Sequence, residues 1–273
     1  MNKKFDYEEK IYGDEEGARI KLFNPWAYDY LPSELKGNSG RLLDIGCGAG
    51  TYINSVKKEN PLLELYGVDV SRRAIKMARV YYPEIDFKVA NINHLPYPTN
   101  YFDAVVLRHV LEHLGDPKQD LSEVRRVLRP KGLLYSSTPI EGDPLILSAP
   151  LKYAEKYHGH KRRFSRESLK SLMRDSGFNI KRFYYSGFLI YQILEVIYYP
   201  ILNFLKLPAS FSVNSYASTY KGTFIGFTSF VLRKLVIFLF NLETIIIPNK
   251  IPGLFMHIIA FKSKVKNRMV VDK

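Results

Sequence analysis

Two acids and three glycines mark the first place where this chain could do chemistry. Asp44 lies in the short apolar run 41–45, and Gly46, Gly48 and Gly50 follow it. Asp69 ends a second run, Leu63 to Val70. Glycines after a strand let the backbone turn sharply. They also let a ligand approach main-chain N–H groups at the start of the next helix. An acid roughly 20 residues past the glycines suits the two ribose hydroxyls of an adenosine. Each feature alone has a plainer reading: a tight turn without ligand, or an acid capping a helix, a role that Ser71 could fill. Together they predict a nucleotide-binding site.

A second group is His109, Glu112 and His113. The spacing i, i+3, i+4 would let them share a helix face. Such a set could take a proton from an acceptor, or two imidazoles and a carboxylate could hold a divalent ion. In the plainer reading Glu112 and His113 are structural residues of a helix start, and no metal is expected. A third group, Tyr157 to Ser165, contains His158, His160, Lys161, Arg162 and Arg163. A basic cluster can hold a phosphate or carboxylate. Zinc at His158 and His160 is not expected, because no further ligand is near in sequence. Cys47 is the only cysteine. Inside the glycine turn it reads as a small packed residue, and a lone cysteine excludes an intrachain disulfide and points to a reducing compartment.

The elements that must position these groups alternate. Strands are expected at 41–45, 64–69, 85–89, 103–107 and 132–138, with helices between them, including 71–81 and 117–128. A helix over 165–176 is capped by Ser165 and stopped by Gly177. Strands at 178–185 and 254–262 follow. Repeated strand–helix units imply a parallel sheet.

The chain resembles the class I S-adenosylmethionine-dependent methyltransferases. The matching stretches are Leu43 to Gly50, Gly67 to Ser71, Leu95 to Pro98, Tyr101 to Val106, Val110 to Leu114 and Leu128 to Leu134. Their order is similar to the small-molecule branch that includes the ubiquinone and menaquinone methyltransferases, over about residues 38–185. The resemblance implies an α/β fold: a Rossmann-like, doubly wound, seven-stranded, mostly parallel sheet. S-adenosyl-L-methionine would be the cofactor. It would meet Asp44, Gly46, Cys47, Gly48 and Gly50, then Asp69 and Val70 at the ribose, Asn91 and Ile92 at the adenine, and Arg108. Asn91 stands where the family usually has aspartate, yet its side-chain oxygen can still accept a hydrogen bond. His109 would serve as base, and His160 and Arg162 would face the acceptor. The run from His109 to His113 resembles the Glu-x-x-Glu-His motif of the ubiquinone O-methyltransferases, associated there with metal, but its first acid is here a histidine.

Charge and hydropathy divide the chain. Residues 1–151 hold 20 Lys and Arg against 21 acids, whereas 152–185 hold 10 against 3 and 186–273 again 10 against 3. The net charge of +13 therefore belongs to the C-terminal half. An acidic partner is implied: a phospholipid surface, a phosphorylated substrate or nucleic acid. The expected organisation is an aromatic helical lead-in over 1–37, the cofactor-binding core over 38–186, an apolar helical insertion over 187–252 before the last strand, and that strand with a basic tail over 253–273. In the insertion, Gln192, Glu195, Tyr199, Asn203 and Lys206 make one polar stripe on a helix over 188–206. A second helix, 223–244, carries Arg233 and Lys234. Neither offers ~18 uninterrupted apolar residues. Such faces suit an in-plane membrane contact, and equally a homodimer interface, a lipid-tail pocket or a buried subdomain.

These features favour a methyltransferase acting on a small-molecule, lipid-linked or isoprenoid acceptor. It would be cytoplasmic, without a signal peptide, and peripheral on the inner membrane face. A nucleic-acid methyltransferase is disfavoured. Base-amine enzymes carry Asn-Pro-Pro-Tyr-type residues after the fourth strand, where this chain reads Leu107-Arg108-His109-Val110, and no RNA-binding module is evident. A non-catalytic partner keeping the fold is disfavoured by the intact glycine turn and Asp69.

Overall fold

The computed structural model describes residues 39–141, 160–186 and 255–263. The lead-in 1–37, the insertion 187–252, His158 and the tail beyond Ser263 lie outside the described residues. Within them are seven strands: β1 (Gly40–Ile45), β2 (Leu63–Asp69), β3 (Asp86–Val89), β4 (Phe102–Arg108), β5 (Leu128–Pro139), β6 (Phe178–Ser186) and β7 (Phe255–Lys262). The helices are α1 (Thr51–Glu59), α2 (Arg72–Tyr81), α3 (Pro117–Val127) and α4 (Arg166–Asp175).

The strands form one sheet in the order β3-β2-β1-β4-β5-β7-β6. The first four pairings are parallel. β7 alone is reversed, antiparallel to both β5 and β6. β1 and β4 are near-continuous apolar runs because helices cover both faces of the sheet. On one face Ile53 and Val56 of α1 and Ile75 and Ala78 of α2 pack on Leu42, Val106 and Tyr135. On the other, Leu121 and Val124 of α3 and Leu169 and Met173 of α4 pack on Leu43, Val105 and Leu134. Each such fully buried aliphatic side chain contributes roughly 1.5–3 kcal/mol.

Local chemistry sets the helix starts. Ser71 accepts from the Ala74 N–H (3.0 Å), Asp116 from Lys118 and Gln119 (3.1 Å each), and Ser165 from Ser168 (3.1 Å). These residues are caps, so α2 and α4 begin one residue later than the sequence pattern suggests. The chain leaves β1 toward β2 and leaves β4 toward β5. This divergence opens a crevice at the carboxyl ends of β1 and β4, where an open α/β sheet takes its ligand.

Candidate active site

The turn after β1 is tied to β2: the Gly46 and Cys47 N–H groups donate to the Val68 carbonyl at 2.8 and 3.0 Å. Gly46, Gly48 and Gly50 hold φ of 75, 54 and 84°. A Cβ on Gly46 would stand 2.6 Å from Val110, and one on Gly50 2.8 Å from the Phe87 ring, so the turn is sealed against side chains at both ends. Asp69 closes the turn from β2. Its Oδ2 accepts the Gly48 N–H at 2.8 Å and its Oδ1 the Ser71 N–H at 2.9 Å. A carboxylate offers about four acceptor sites, so both oxygens keep capacity for an incoming hydroxyl.

Asp44 is only 2% exposed. Burial raises its pKa to about 7, against the lowering influence of nearby Arg108 and with a further push from Asp69. An acid held in this way is compensated by a cationic ligand. Arg108 lies with its guanidinium 4.0 Å above the Tyr52 ring. Val70 is 56% exposed, at the end of β2. Asn91 is exposed and its side-chain oxygen accepts the Asn93 N–H at 3.3 Å, while Ile92 is buried in the core. The Cys47 thiol is buried, and burial pushes its pKa well up, so it is an inert packing residue as expected.

His109 follows β4 with φ of 53°, its N–H bonded to the Ser137 carbonyl at 2.9 Å. Its ring meets Phe255 edge-on at 5.1 Å, and Nδ1 lies 3.3 Å from Oε1 of Glu112. Glu112 is fully buried. Thr138 donates to its Oε2 at 3.1 Å. Burial works to raise the Glu112 pKa, but His109, the backbone and His113 outweigh it and hold the carboxyl below its usual range. The left-handed backbone at His109 and a single 3-10 turn over Leu111–His113 correct the shared-face expectation. Glu112 turns inward to His109, whereas His113 turns to His160, with ring centroids 5.1 Å apart. Ligating atoms of Glu112, His113 and His160 all lie within 4.8 Å of one another. Arg162 braces the loop, its guanidinium donating to the Leu114 and Gly115 carbonyls at 3.0 and 2.7 Å. The Lys161 and Arg162 N–H groups also donate to the Glu112 carbonyl. The basic run is thereby stitched to the turn after β4.

A family described as a methyltransferase domain matches residues 21–182, more than half of the chain. The chain belongs to this family, the class I S-adenosylmethionine-dependent methyltransferases. A ubiquinone biosynthesis O-methyltransferase of Xanthomonas oryzae pv. oryzae is 32% identical over 132 residues, 46% of this chain and 54% of that protein. A probable S-adenosylmethionine-dependent methyltransferase of Mycolicibacterium smegmatis is 31% identical over 140 residues, 51% of this chain and 52% of that protein. The chain thus spans about half the length of these curated relatives. In fold it is similar to a Haemonchus contortus phosphoethanolamine N-methyltransferase solved with S-adenosyl-L-methionine. The TM-score is 0.59 at 16% identity, covering 95% of this chain and 60% of that one.

S-adenosylmethionine is the cofactor of this family, and the residues present fit it. The Gly46, Cys47 and Gly48 N–H groups are already bonded to Val68 and Asp69, so what the turn offers the ligand is backbone without side chains at positions 46, 48 and 50. Asp69 can still accept hydroxyls, and buried Asp44 supplies an acid that the cofactor's cationic groups would compensate. When bound, the cofactor supplies an electrophilic methyl group on a sulfonium.

The chain also holds a polar array that the sequence pattern did not reveal. His257, buried on β7, contacts the Tyr135 hydroxyl with Nδ1 at 2.9 Å and the Ser186 hydroxyl with Nε2 at 2.6 Å. Its ring stacks on Tyr184 at 4.6 Å. Burial, with Coulombic repulsion from His109, Arg108 and Arg182, lowers its pKa to about 3, so it is neutral. A lone histidine inside the apolar run 254–262 was the available signal.

Proposed function

We propose that this methyltransferase acts on a hydroxyl of a small, lipid-linked or isoprenoid acceptor at the cytoplasmic face of a membrane. The observation that carries the reading is His109. It stands at the crevice edge, half-exposed, with Nδ1 turned to a fully buried carboxylate. That arrangement orients the imidazole and leaves Nε2 for the acceptor's proton. Glu112 is held ionised, so it stabilises the imidazolium that forms. Similarity to ubiquinone biosynthesis O-methyltransferases supports oxygen as the methylated atom. The turn and Asp69 orient the cofactor for the in-line displacement. The basic C-terminal half and the polar-striped apolar segment 188–206 support a membrane location.

Membrane lipid extracts and, in parallel, total RNA and the water-soluble fraction are incubated with the protein and radiolabelled S-adenosylmethionine, and the labelled product is identified by mass spectrometry. Label in an isoprenoid or lipid-linked product methylated on oxygen supports the reading. Label confined to RNA or to water-soluble amines overturns it.

A further inference from the structure

We infer that the basic row on the flank of α4 that faces β6, with the neighbouring part of β6, is a contact surface for the phosphates of an anionic membrane; this rests on the membrane reading above. Residues 160–186 hold eight Lys and Arg against two acids. Arg162 and Arg163 are spent on main-chain carbonyls. Arg166, Lys170 and Arg174 are not spent on main-chain carbonyls, although the Arg166 guanidinium also meets the Tyr185 hydroxyl. They stand at i, i+4 and i+8 of α4, along the flank beside Leu169 and Met173, which fill the core; Arg166 and Lys170 are half-buried and Arg174 is exposed. Among the described residues, no acid forms an ion pair with any of the three. Arg166 and Lys170 both converge on the half-buried ring of Phe183, 5.0 Å from its centroid in each case. Lys170 has its pKa lowered, first by desolvation and then by Arg166 and Arg174.

Like charges four residues apart destabilise a helix. The row therefore works against its own helix, and Glu167 offsets the repulsion at Lys170 only in part. An external anion would relieve it. The row is about 12 Å long at the helical rise, so it matches a surface of phosphates better than one small anion. Ser186 ends β6, and the polypeptide then runs directly into 187–252, whose striped apolar sequence suits the headgroup region. Cations at the phosphate level beside apolar side chains below it are the pattern of a peripheral membrane contact.

The test is flotation of the full chain with vesicles of phosphatidylcholine alone, or with one-third phosphatidylglycerol, at low and high salt. Arg166→Glu/Lys170→Glu/Arg174→Glu is compared with Lys58→Glu/Arg72→Glu/Lys76→Glu, which makes the same charge change on α1 and α2. A milder Arg166→Gln/Lys170→Gln/Arg174→Gln variant covers loss of folding. Calorimetric cofactor affinity shows that each variant is folded. The expected result is salt-sensitive flotation with the anionic vesicles, reduced about tenfold or more by the α4 reversal and less than about twofold by the control. If the α4 variants float like wild type, the row is not the contact, although the membrane reading stands. Equal losses in both reversals mean bulk charge alone and overturn the inference. If wild type floats with no vesicle, the membrane reading fails and takes the inference with it. Tighter binding of single-stranded RNA than of vesicles, lost in the α4 variants, assigns the row to RNA instead.

Discussion

The Asp69 carboxylate is hydrogen-bonded to the Gly48 N–H over 2.8 Å, so one acid locks the glycine turn before any cofactor arrives. The side chain expected at the ribose therefore also sets the shape of the turn that meets the other end of the ligand.

Asp69→Ala removes both contributions. Affinity for S-adenosylmethionine and for its demethylated product should fall by ~1–3 kcal/mol, the range for lost charge-assisted hydrogen bonds. Isothermal calorimetry checks this; equal affinity in mutant and wild type removes Asp69 from the cofactor site.

Gly67→Ala tests the packing beneath that turn. A Cβ there would stand 2.5 Å from the Phe87 ring and 2.9 Å from the Cys47 sulfur. Overpacking of this kind costs ~1–3 kcal/mol. Denaturant unfolding should show a lower midpoint with an unchanged slope.

The pH dependence of stability should reveal two opposed groups. His257 has a folded pKa of about 3 against an ordinary 6.5. As pH falls from 6.5 toward 3 the unfolded chain gains a proton that the folded one refuses, so stability is lost. Asp44 has a folded pKa of about 7 against 3.8. As pH rises from 3.8 toward 7 the unfolded chain gives up a proton that the folded one keeps, so stability is again lost. Between pH 4 and 6.5 the two slopes oppose each other. Asp44→Asn, without cofactor, should steepen the rise of stability with pH by about 1.4 kcal/mol per unit in that window. His257→Gln should shift the slope by a similar amount the other way. Urea titrations at half-unit pH steps measure both.

His109→Asn should lower methyl transfer into the membrane extract by about a hundredfold or more, the usual weight of a general base. Cofactor affinity should stay within about twofold. A parallel loss of cofactor binding would make His109 part of the cofactor site.

A chelator should leave methyl transfer unchanged. Glu112, His113 and His160 are close enough to invite an ion, but Glu112 is already met by Thr138 and His109. Activity abolished by chelation and restored by magnesium or zinc would reverse that assignment.

Much of this arrangement was legible in local sequence. The apolar runs of β1 and β2, the glycine turn, the Ser165 cap and the Gly177 stop are short-range signals, and each lies where its chemistry requires. Gly177 takes φ of 80° after α4. What escaped depends on distant neighbours or on backbone sign. The left-handed residue at His109 and the 3-10 turn that follows replace the expected helix, so that Glu112 meets His109 while His113 turns to His160. Arg162 finds its carbonyl partners 47 and 48 residues away. His257 meets Ser186 and Tyr135 across 71 and 122 residues, which no periodicity encodes.

The reversed strand β7 has a consequence for synthesis. β6 reaches the sheet only through β7. The 68 residues between Ser186 and Phe255 must therefore be translated before β6 has its partner. At roughly 5–20 residues per second, the ribosome holds an unclosed sheet for several seconds, with the apolar 187–252 stretch already made. The apolar segment is thus offered to its surroundings before the sheet is closed.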